Sequence, residues 1–494
     1  MLLPEEIYSA TQVRQMEVAA IAAGTAGYTL MQRAGAAALG ALRQRWPLAR
    51  SVVVVAGPGN NGGDGLVLAR LARQAGLSVT VLLVAEADAL RGEARQAHDD
   101  LLAGGVSPQS FDAAALSQGD VIVDALLGIG VRAPLREDWR LAIEAMNAST
   151  RAVFALDIPS GLEPDQGRAL PAVRATATIS FLGLKQGLFV GEGPEHAGEI
   201  LFDGLRVESA VSGPPALQRI SHEDLAGVLP QRPRQSFKSQ FGRVLVVGRG
   251  AGMPGAVRLA AEAALRVGAG LVSVASLPEH LGAVVGARPE LMFHALRDAG
   301  DVQSAVAVAD VIALGPGLGR DGWAKSVLAA VFAARRPEQR LVVDADALNL
   351  IAAGHGPARL EDWVLTPHPG EAARLLGIDT KQVQADRLAA LAALCERRGG
   401  TVVLKGATSL VGHQGEVPRL CDRGNPGMAV PGMGDVLTGA IAGLLAQATQ
   451  AFDATSAAVY AHAVAGDRCA RLGVRGVLAL EVAQELRAVL APLP

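Results

Sequence analysis

The sequence predicts an α/β protein made of two three-layer αβα domains, and three observations carry that expectation. Short, nearly continuous apolar runs alternate with helical patterns along the chain. Most of these runs end in glycine or a polar residue, as strands do where a sheet meets its loops. The 494 residues suffice for two or three domains of ordinary size. Continuous apolar strands joined by crossover helices imply parallel sheets covered on both faces.

Taken in order, a helical region over roughly 10–43 contains "LMQRAG" and precedes the first block of strands. That block reads "SVVVVAGPG" (51–59), "VTVLLV" (79–84), "DVIVDALLG" (120–128), "AVFALDIPSG" (152–161) and "ATISFLGLK" (177–185). The second block reads "GRVLVVG" (242–248), "GLVSVAS" (270–276), "DVIALGPGLG" (310–319), "LVVDADALN" (341–349), "WVLTPHPGE" (363–371) and "TVVLKGATSLV" (401–411). Between them "VESAVSGPPALQRISHEDL" is the best linker, with a Ser-Gly-Pro-Pro turn that puts the boundary near residue 215. Domains are therefore expected over 1–213 and 222–494.

Composition narrows the function classes. A formal charge of −3 and a pI near 6.3 give no basic field for nucleic acid or anionic membrane. Aromatic residues, at 3%, are too few to stack single-stranded bases. Half the residues are hydrophobic and mean hydropathy is +0.29, so cores are well supplied. The longest apolar stretch, 437–466, is broken by Gln447, Gln450, Asp453 and His462 and reads as buried helix, so no membrane association is expected. Glu5 and Glu6 near the start argue against a signal peptide. Three widely spaced cysteines, Cys395, Cys421 and Cys469, suit a reducing compartment, and the expected location is cytoplasmic.

Ligands of open α/β sheets sit beyond the carboxyl ends of the strands, so each block is expected to carry its own site. In the second block, Gly315-Pro-Gly-Leu-Gly319 leaves room for a ligand beside the backbone. Lys405-Gly406-Ala407-Thr408-Ser409 offers a cation, hydroxyls and amides suited to phosphate. Lys405 is one of only five lysines among 45 basic residues. "GNPGMAVPGMGDVLTG" (424–439) ends in Gly432, Gly434 and Asp435 before an apolar helix, so its amides form an anion site. Asp435 there is placed to accept a substrate proton, though it equally suits an N-cap. There is no Gly-Lys dipeptide and hence no Walker motif.

In the first block, "AGPGNNGGDG" (56–65) matches neither dinucleotide fingerprint but offers amides at a helix start, plus Asn60, Asn61 and Asp64. Asp124, Asp157 and Ser160 end later strands; such oxygens suit a hard cation or serve as ordinary caps. Scattered histidines with no HExxH or CxxC give no support to zinc chemistry, and there is no GxSxG elbow.

The ordered set GPGLG, VVDADALN, LTPHPGE, VLKGATS and GNPGMAVPGMGD resembles the ADP-dependent NAD(P)H-hydrate dehydratases of the ribokinase-like superfamily, over nearly all of 222–494. The set LMQRAG, GPGNNGGDG, DALLGIG and LDIPSG resembles the NAD(P)H-hydrate epimerase domain, Rossmann-like in fold, over roughly 1–212. Together they imply repair of hydrated NADH and NADPH (NADHX and NADPHX). The first domain would interconvert R and S hydrates. The second would spend ADP or ATP, with magnesium, to dehydrate the S form. By this resemblance Lys405 to Ser409 and Gly434 hold the nucleotide. Ala256, Gly317, His368 and Asp435 contact the hydrate, with Asp435 catalytic. In the first domain Asn60, Asn61, Gly62, Gly63, Asp64, the turn Gly128, Ile129, Gly130, Val131, Arg132, Ala133 and Pro134, and Asp157 bind substrate. Asn61, Asp124 and Ser160 hold potassium, and Asp157 with Lys185 is the acid/base pair. A homo-oligomer is expected.

Two departures stand out. Val430 and Pro431 replace the Thr-Gly of the family's usual "GMATGGMGD", and proline removes one backbone donor. "SFKSQFGRVLVVGRG" matches the usual His-Lys-Gly opening and Gly-Gly-Ser turn loosely. Two rival readings remain: a small-molecule kinase in the second half, and a first half that serves as a binding scaffold.

Overall fold

In the computed structural model, which describes residues 3–207, 213–228, 232–248, 252–448 and 450–491, the valine run Ser51–Ala56 is a central strand. It lies between Ser78–Leu83 and Val121–Ala125 in a seven-stranded sheet that continues through Ala152–Leu156, Ala177–Phe181 and Glu199–Asp203, with Gln109–Ser110 at the other edge. Every pairing in this sheet is parallel. Successive side chains alternate between faces. Val52, Val54, Val121 and Val123 pack under the helices Gly27–Arg45 and Asn60–Gln74. Val53, Val55, Ile122 and Val153 pack under the helix Glu137–Ala148. With both faces covered, a strand gains nothing from a polar face, which is why these runs are continuously apolar.

The chain divides into two compact units, Met1–Leu217 and Gln218–Pro494. In the second, Met292–Ala295, Leu271–Ser276, Arg243–Val247, Val311–Leu314, Arg340–Val343, Trp363–Leu365 and Thr401–Leu404 pair in that spatial order, all parallel. Val244 and Val246 face the helices Pro254–Arg266, Met433–Leu445 and Ala451–Cys469, while Leu245 and Val247 are equally buried on the opposite face.

Several expectations need correction. The helical region over 10–43 is two helices, Ala10–Ala22 and Gly27–Arg45, broken at Gly24 with its positive φ of 100°. The run 401–411 is not one strand. Thr401–Leu404 and Ser409–His413 pair antiparallel, so the lysine loop is a hairpin turn. Arg419–Cys421 adds a further antiparallel strand, so this sheet is mixed. Strands Glu199–Asp203, Met292–Ala295 and Leu217–Arg219 lie outside the expected set. Part of the expected linker (208–212) and part of the "VGRG" turn (249–250) lie outside the described residues. No described helix is long and apolar enough to cross a membrane.

Candidate active site

In the first unit the strand order reverses between Ser51–Ala56 and Val121–Ala125, which is where an open sheet leaves a crevice. A cavity of about 490 Å³ opens there, lined among others by Asn60, Asn61, Asp64, Gly128 to Val131 and Asp157. Arg132, Ala133 and Pro134 are exposed and do not line it. The glycines of "GNNGGDG" have a packing role: a methyl on Gly62 would stand 1.9 Å from the Gly57 carbonyl oxygen, and one on Gly63 2.5 Å from Met31. They let the helix Asn60–Gln74 start hard against its own turn, which presents Asn60 and Asn61 to the cavity. A methyl on Gly128 would lie 3.2 Å from Asn61 Cβ and 3.8 Å from Asp157 Oδ2, so these three residues are neighbours across the crevice.

Asp157 follows the strand Ala152–Leu156 with a left-handed backbone, φ 66°, unusual for a residue with a side chain. Its carboxylate accepts a hydrogen bond from the Lys185 ammonium. Lys185 is fully buried and also donates to Ser180 Oγ (3.1 Å) and to the Phe181 carbonyl (2.7 Å). It therefore stands behind Asp157, not on the cavity wall, and reaches a ligand only by orienting that carboxylate. Asp64 is held well above the usual carboxylate range by burial, then by Asp157 and Glu17. Glu17 is raised for the same reasons, burial first, then Asp157 and Glu93. Glu17 and Glu93 line the cavity and were not singled out from sequence; as helix residues remote from any strand end, they gave no signal.

Asp124 and Ser160 are fully buried. Ser160 donates to Asp124 through both its backbone N–H (2.8 Å) and its hydroxyl (2.6 Å). Burial raises Asp124 to about 6 in spite of these bonds. Both amide atoms of Asn61 are buried with no hydrogen-bond partner among the described residues. A buried amide without a partner costs free energy unless a guest satisfies it. The oxygens of Asn61, Asp124 and Ser160 are the donor type that a hard cation such as potassium takes.

In the second unit a cavity of about 440 Å³ is lined by Asp344, Ala345, His368, Pro369, Glu371, Lys405, Gly406, Gly432, Gly434 and Asp435. Three strand ends and three helix starts converge here. Asp344 ends Arg340–Val343, His368 caps the helix Pro369–Leu376, and Asp435 lies in the first turn of Met433–Leu445. Gly432 takes a left-handed φ of 93° at that helix's cap, which an L side chain adopts only with strain.

Lys405 is not a free cation: its ammonium donates to Asp344 Oδ1 at 2.7 Å and lies 3.9 Å from Glu371 Oε2. Burial works against the ammonium, but Asp344, Glu371 and Asp435 together raise it above its ordinary value. Thr438 holds the other Asp344 oxygen at 2.8 Å. Burial, then Asp344, pushes Asp435 up to about 7, and burial does the same to Glu371. His368 Nδ1 accepts from the Gly370 N–H (3.0 Å), leaving Nε2 3.4 Å from Glu371 Oε1. Burial, then Lys405 and Arg374, lowers this imidazole below its ordinary value.

Of the expected nucleotide residues, Lys405, Gly406 and Gly434 line this cavity. Ala407 is exposed outside it, Thr408 is buried, and Ser409 opens the strand Ser409–His413. Val430 and Pro431 do not line it, so the proline falls outside the amide-lined edge. Ala256 and Gly317 meet elsewhere; a methyl on Gly317 would lie 3.2 Å from Ala256 Cβ, at the end of strands Arg243–Val247 and Val311–Leu314 where this sheet's order reverses. The glycine of Gly315 serves the protein, not a ligand, since a methyl would stand 1.9 Å from the Asp344 carbonyl. Asp344 and Glu371 were missed at the residue level. Both lie in strand-end segments already marked, so the rule that polar strand ends line the site would have found them.

Comparison with known proteins accounts for both halves. Residues 244–488 match the NAD(P)H-hydrate dehydratase family, and residues 27–187 match the YjeF-related protein N-terminus. A bifunctional NAD(P)H-hydrate repair enzyme of Coxiella burnetii is 44% identical over 98% of this chain and 99% of its own length. One of Escherichia coli is 40% identical over 99% of this chain and 95% of its own length. A ribokinase-like superfamily structure from Enterococcus faecalis aligns with a TM-score of 0.52 at 35% identity, covering 56% of this chain and 95% of that one. Two families matched in tandem, and relatives matched from end to end, place this chain in the family of bifunctional NAD(P)H-hydrate repair enzymes.

Proposed function

We propose that this chain restores NADH and NADPH from their hydrates by two reactions. Residues 1–213 would epimerise the R and S hydrates, and residues 222–494 would dehydrate the S hydrate with ADP or ATP. The observation that carries the second assignment is the carboxylate of Asp435, raised to about 7 in a cavity walled by Lys405 and the glycine-rich start of its own helix. A base near neutrality is matched to taking a hydroxyl proton at physiological pH. The hydrate's oxygen, freed of its proton, would attack the terminal phosphorus of ADP; AMP leaves with the bridging oxygen. The C–O bond then breaks, phosphate departs, and a proton lost from the ring restores the reduced nicotinamide. Amides of the helix start face the charge that develops on phosphate.

In the second site Lys405 with Gly406 and Gly434 is read as the nucleotide edge and His368 as the hydrate edge, with Ala256 and Gly317, outside the cavity, as further hydrate contacts. Asp344 and Glu371 keep Lys405 charged and in place. Among the described residues no group of three or more His, Cys, Asp or Glu gathers as a metal site. Magnesium would thus enter with the nucleotide's phosphates, as this ion commonly does.

In the first site Asp157 would take the hydroxyl proton as the bond from the hydrated carbon to the ring nitrogen opens, that bond's electron pair going to nitrogen. It would return the proton to oxygen when the ring recloses on the opposite face, with Lys185 fixing the carboxylate's orientation. Asn61, Asp124 and Ser160 would hold potassium, whose charge would offset the buried Asp124 carboxylate. The cysteines Cys395, Cys421 and Cys469 are all unpaired, which fits a reducing cytoplasm, and a homo-oligomer belongs to the same reading.

The test is incubation with mixed R and S hydrates and ADP or ATP. Recovery of reduced-nicotinamide absorbance with one phosphate released per turnover is expected for both epimers. A stable phosphorylated product would favour a small-molecule kinase, and recovery of only the S hydrate would favour a scaffold role for the first unit.

A further inference from the structure

The lysine hairpin is built around a buried cation that the reaction itself does not use. Arg387 opens the helix Arg387–Arg398 and is buried beneath the loop. Its Nη2 donates to the carbonyls of Leu404 (3.1 Å), Lys405 (3.3 Å) and Thr408 (3.0 Å), and Nη1 to Gln384 Oε1 (2.9 Å). Among the described residues it has no carboxylate within ion-pair distance. A methyl on Gly406 would stand 2.7 Å from Nη2, so the loop closes directly over the guanidinium.

Two features make this placement costly. Burial lowers Arg387 to about 10, and a cation at a helix N-terminus opposes the helix dipole. A guanidinium kept there against both terms acts on what it touches. In a trans peptide the C=O and N–H point in opposite directions. Drawing the Lys405 carbonyl inward therefore turns the Gly406 N–H outward, on the side where Lys405 and Gly406 line the cavity. Neither the Gly406 nor the Ala407 N–H has a partner among the described residues, whereas the Lys405 N–H is taken by the Pro367 carbonyl at 2.9 Å. Lys405 is itself matched by Asp344. Outward amides, with a positive charge beneath them, are thus left to meet phosphate.

We propose that Arg387 is a positioning residue that shapes the 405–408 loop into an anion-binding turn for the nucleotide's phosphates. The inference rests on the nucleotide-dependent reading above. Its test uses the full chain and measures ADP affinity by calorimetry together with kcat and KM for ADP and for the S hydrate. Arg387→Met should raise the dissociation constant and KM for ADP on the order of 10- to 100-fold, as loss of charged hydrogen bonds does. The KM for the hydrate should move far less. Arg387→Lys should fall between, and Gly406→Ala, whose methyl meets the guanidinium, should share the defect if Arg387→Met does not fold. Thermal unfolding of each variant, compared with the unaltered chain, reports the fold of the second unit in each case. A folded Arg387→Met or Gly406→Ala protein with ADP affinity within twofold of the unaltered chain overturns the inference. Absence of any saturable ADP dependence in the unaltered chain overturns the nucleotide reading beneath it.

Discussion

At the scale of single residues, the second site is a cluster of carboxylates organised by one ammonium. Burial raises both Asp435 and Glu371 to about 7, against the pull of the Lys405 ammonium on each. Asp435 must be ionised to accept a proton, and ionisation increases with pH. Dehydration should therefore rise with pH to a plateau above about 7, and fall by about tenfold per unit on the acid side. A kcat/KM profile measured from pH 5 to 9 checks this; a flat acid limb would remove the raised carboxylate from the rate. Asp435→Asn should lower kcat about 100- to 10,000-fold while ADP still binds, because the amide keeps the shape and loses the base. Near-normal turnover of the S hydrate by that variant would end Asp435's assignment. In the first unit, Lys185 shows what residue type alone does not reveal. The resemblance makes Lys185 an acid/base candidate with Asp157, yet the folded chain buries it behind that carboxylate.

At the scale of elements, both sites depend on where a helix is allowed to begin. The turn from strand Ser51–Ala56 into helix Asn60–Gln74 is tight enough that Gly62 faces the Gly57 carbonyl. Gly62→Ala sets a methyl against fixed backbone and should cost at least about 1–3 kcal/mol, with loss of epimerisation. Gly63→Ala instead meets the flexible end of Met31 and should cost less. Thermal unfolding of the two variants, with epimerase assays, checks the order; equal stability would show that the turn is looser than it stands here. The sequence presents these glycines as ligand-facing amides, and periodicity cannot separate that role from close packing. Only the folded path of the turn itself, which sets the Gly57 carbonyl against Gly62, decides it.

At the scale of the molecule, each of the two units carries its own run of parallel strands and its own cavity. The strand Leu217–Arg219 pairs with Arg419–Cys421, so a cut must fall before Leu217 to leave the second sheet whole. A fragment ending near Gly213 should epimerise without any adenine nucleotide. The remainder should dehydrate the S hydrate and leave the R hydrate untouched. Stereospecific assays of the purified fragments check both. A folded first fragment unable to convert pure R hydrate would make it a scaffold.

The sequence by itself determined the two-block α/β architecture, most strands, and the segments that carry chemistry. Each of these is a local property: an apolar run bounded by glycine reads the same whatever lies around it. It also marked Asp435, Asp157, Asn61 and Lys405, because an unusual residue at a strand end or helix start is visible in one dimension. Tertiary structure alone decided the partnerships. That Lys405 is matched by Asp344, 61 positions away in the chain, depends on three strands lying side by side. That Arg387 supports the loop from below depends on a helix packing against a hairpin that the sequence presents as one strand. Side-chain charge is written in the sequence, but what it faces is set by the order in which the sheet places its strands, and that order is not a local property.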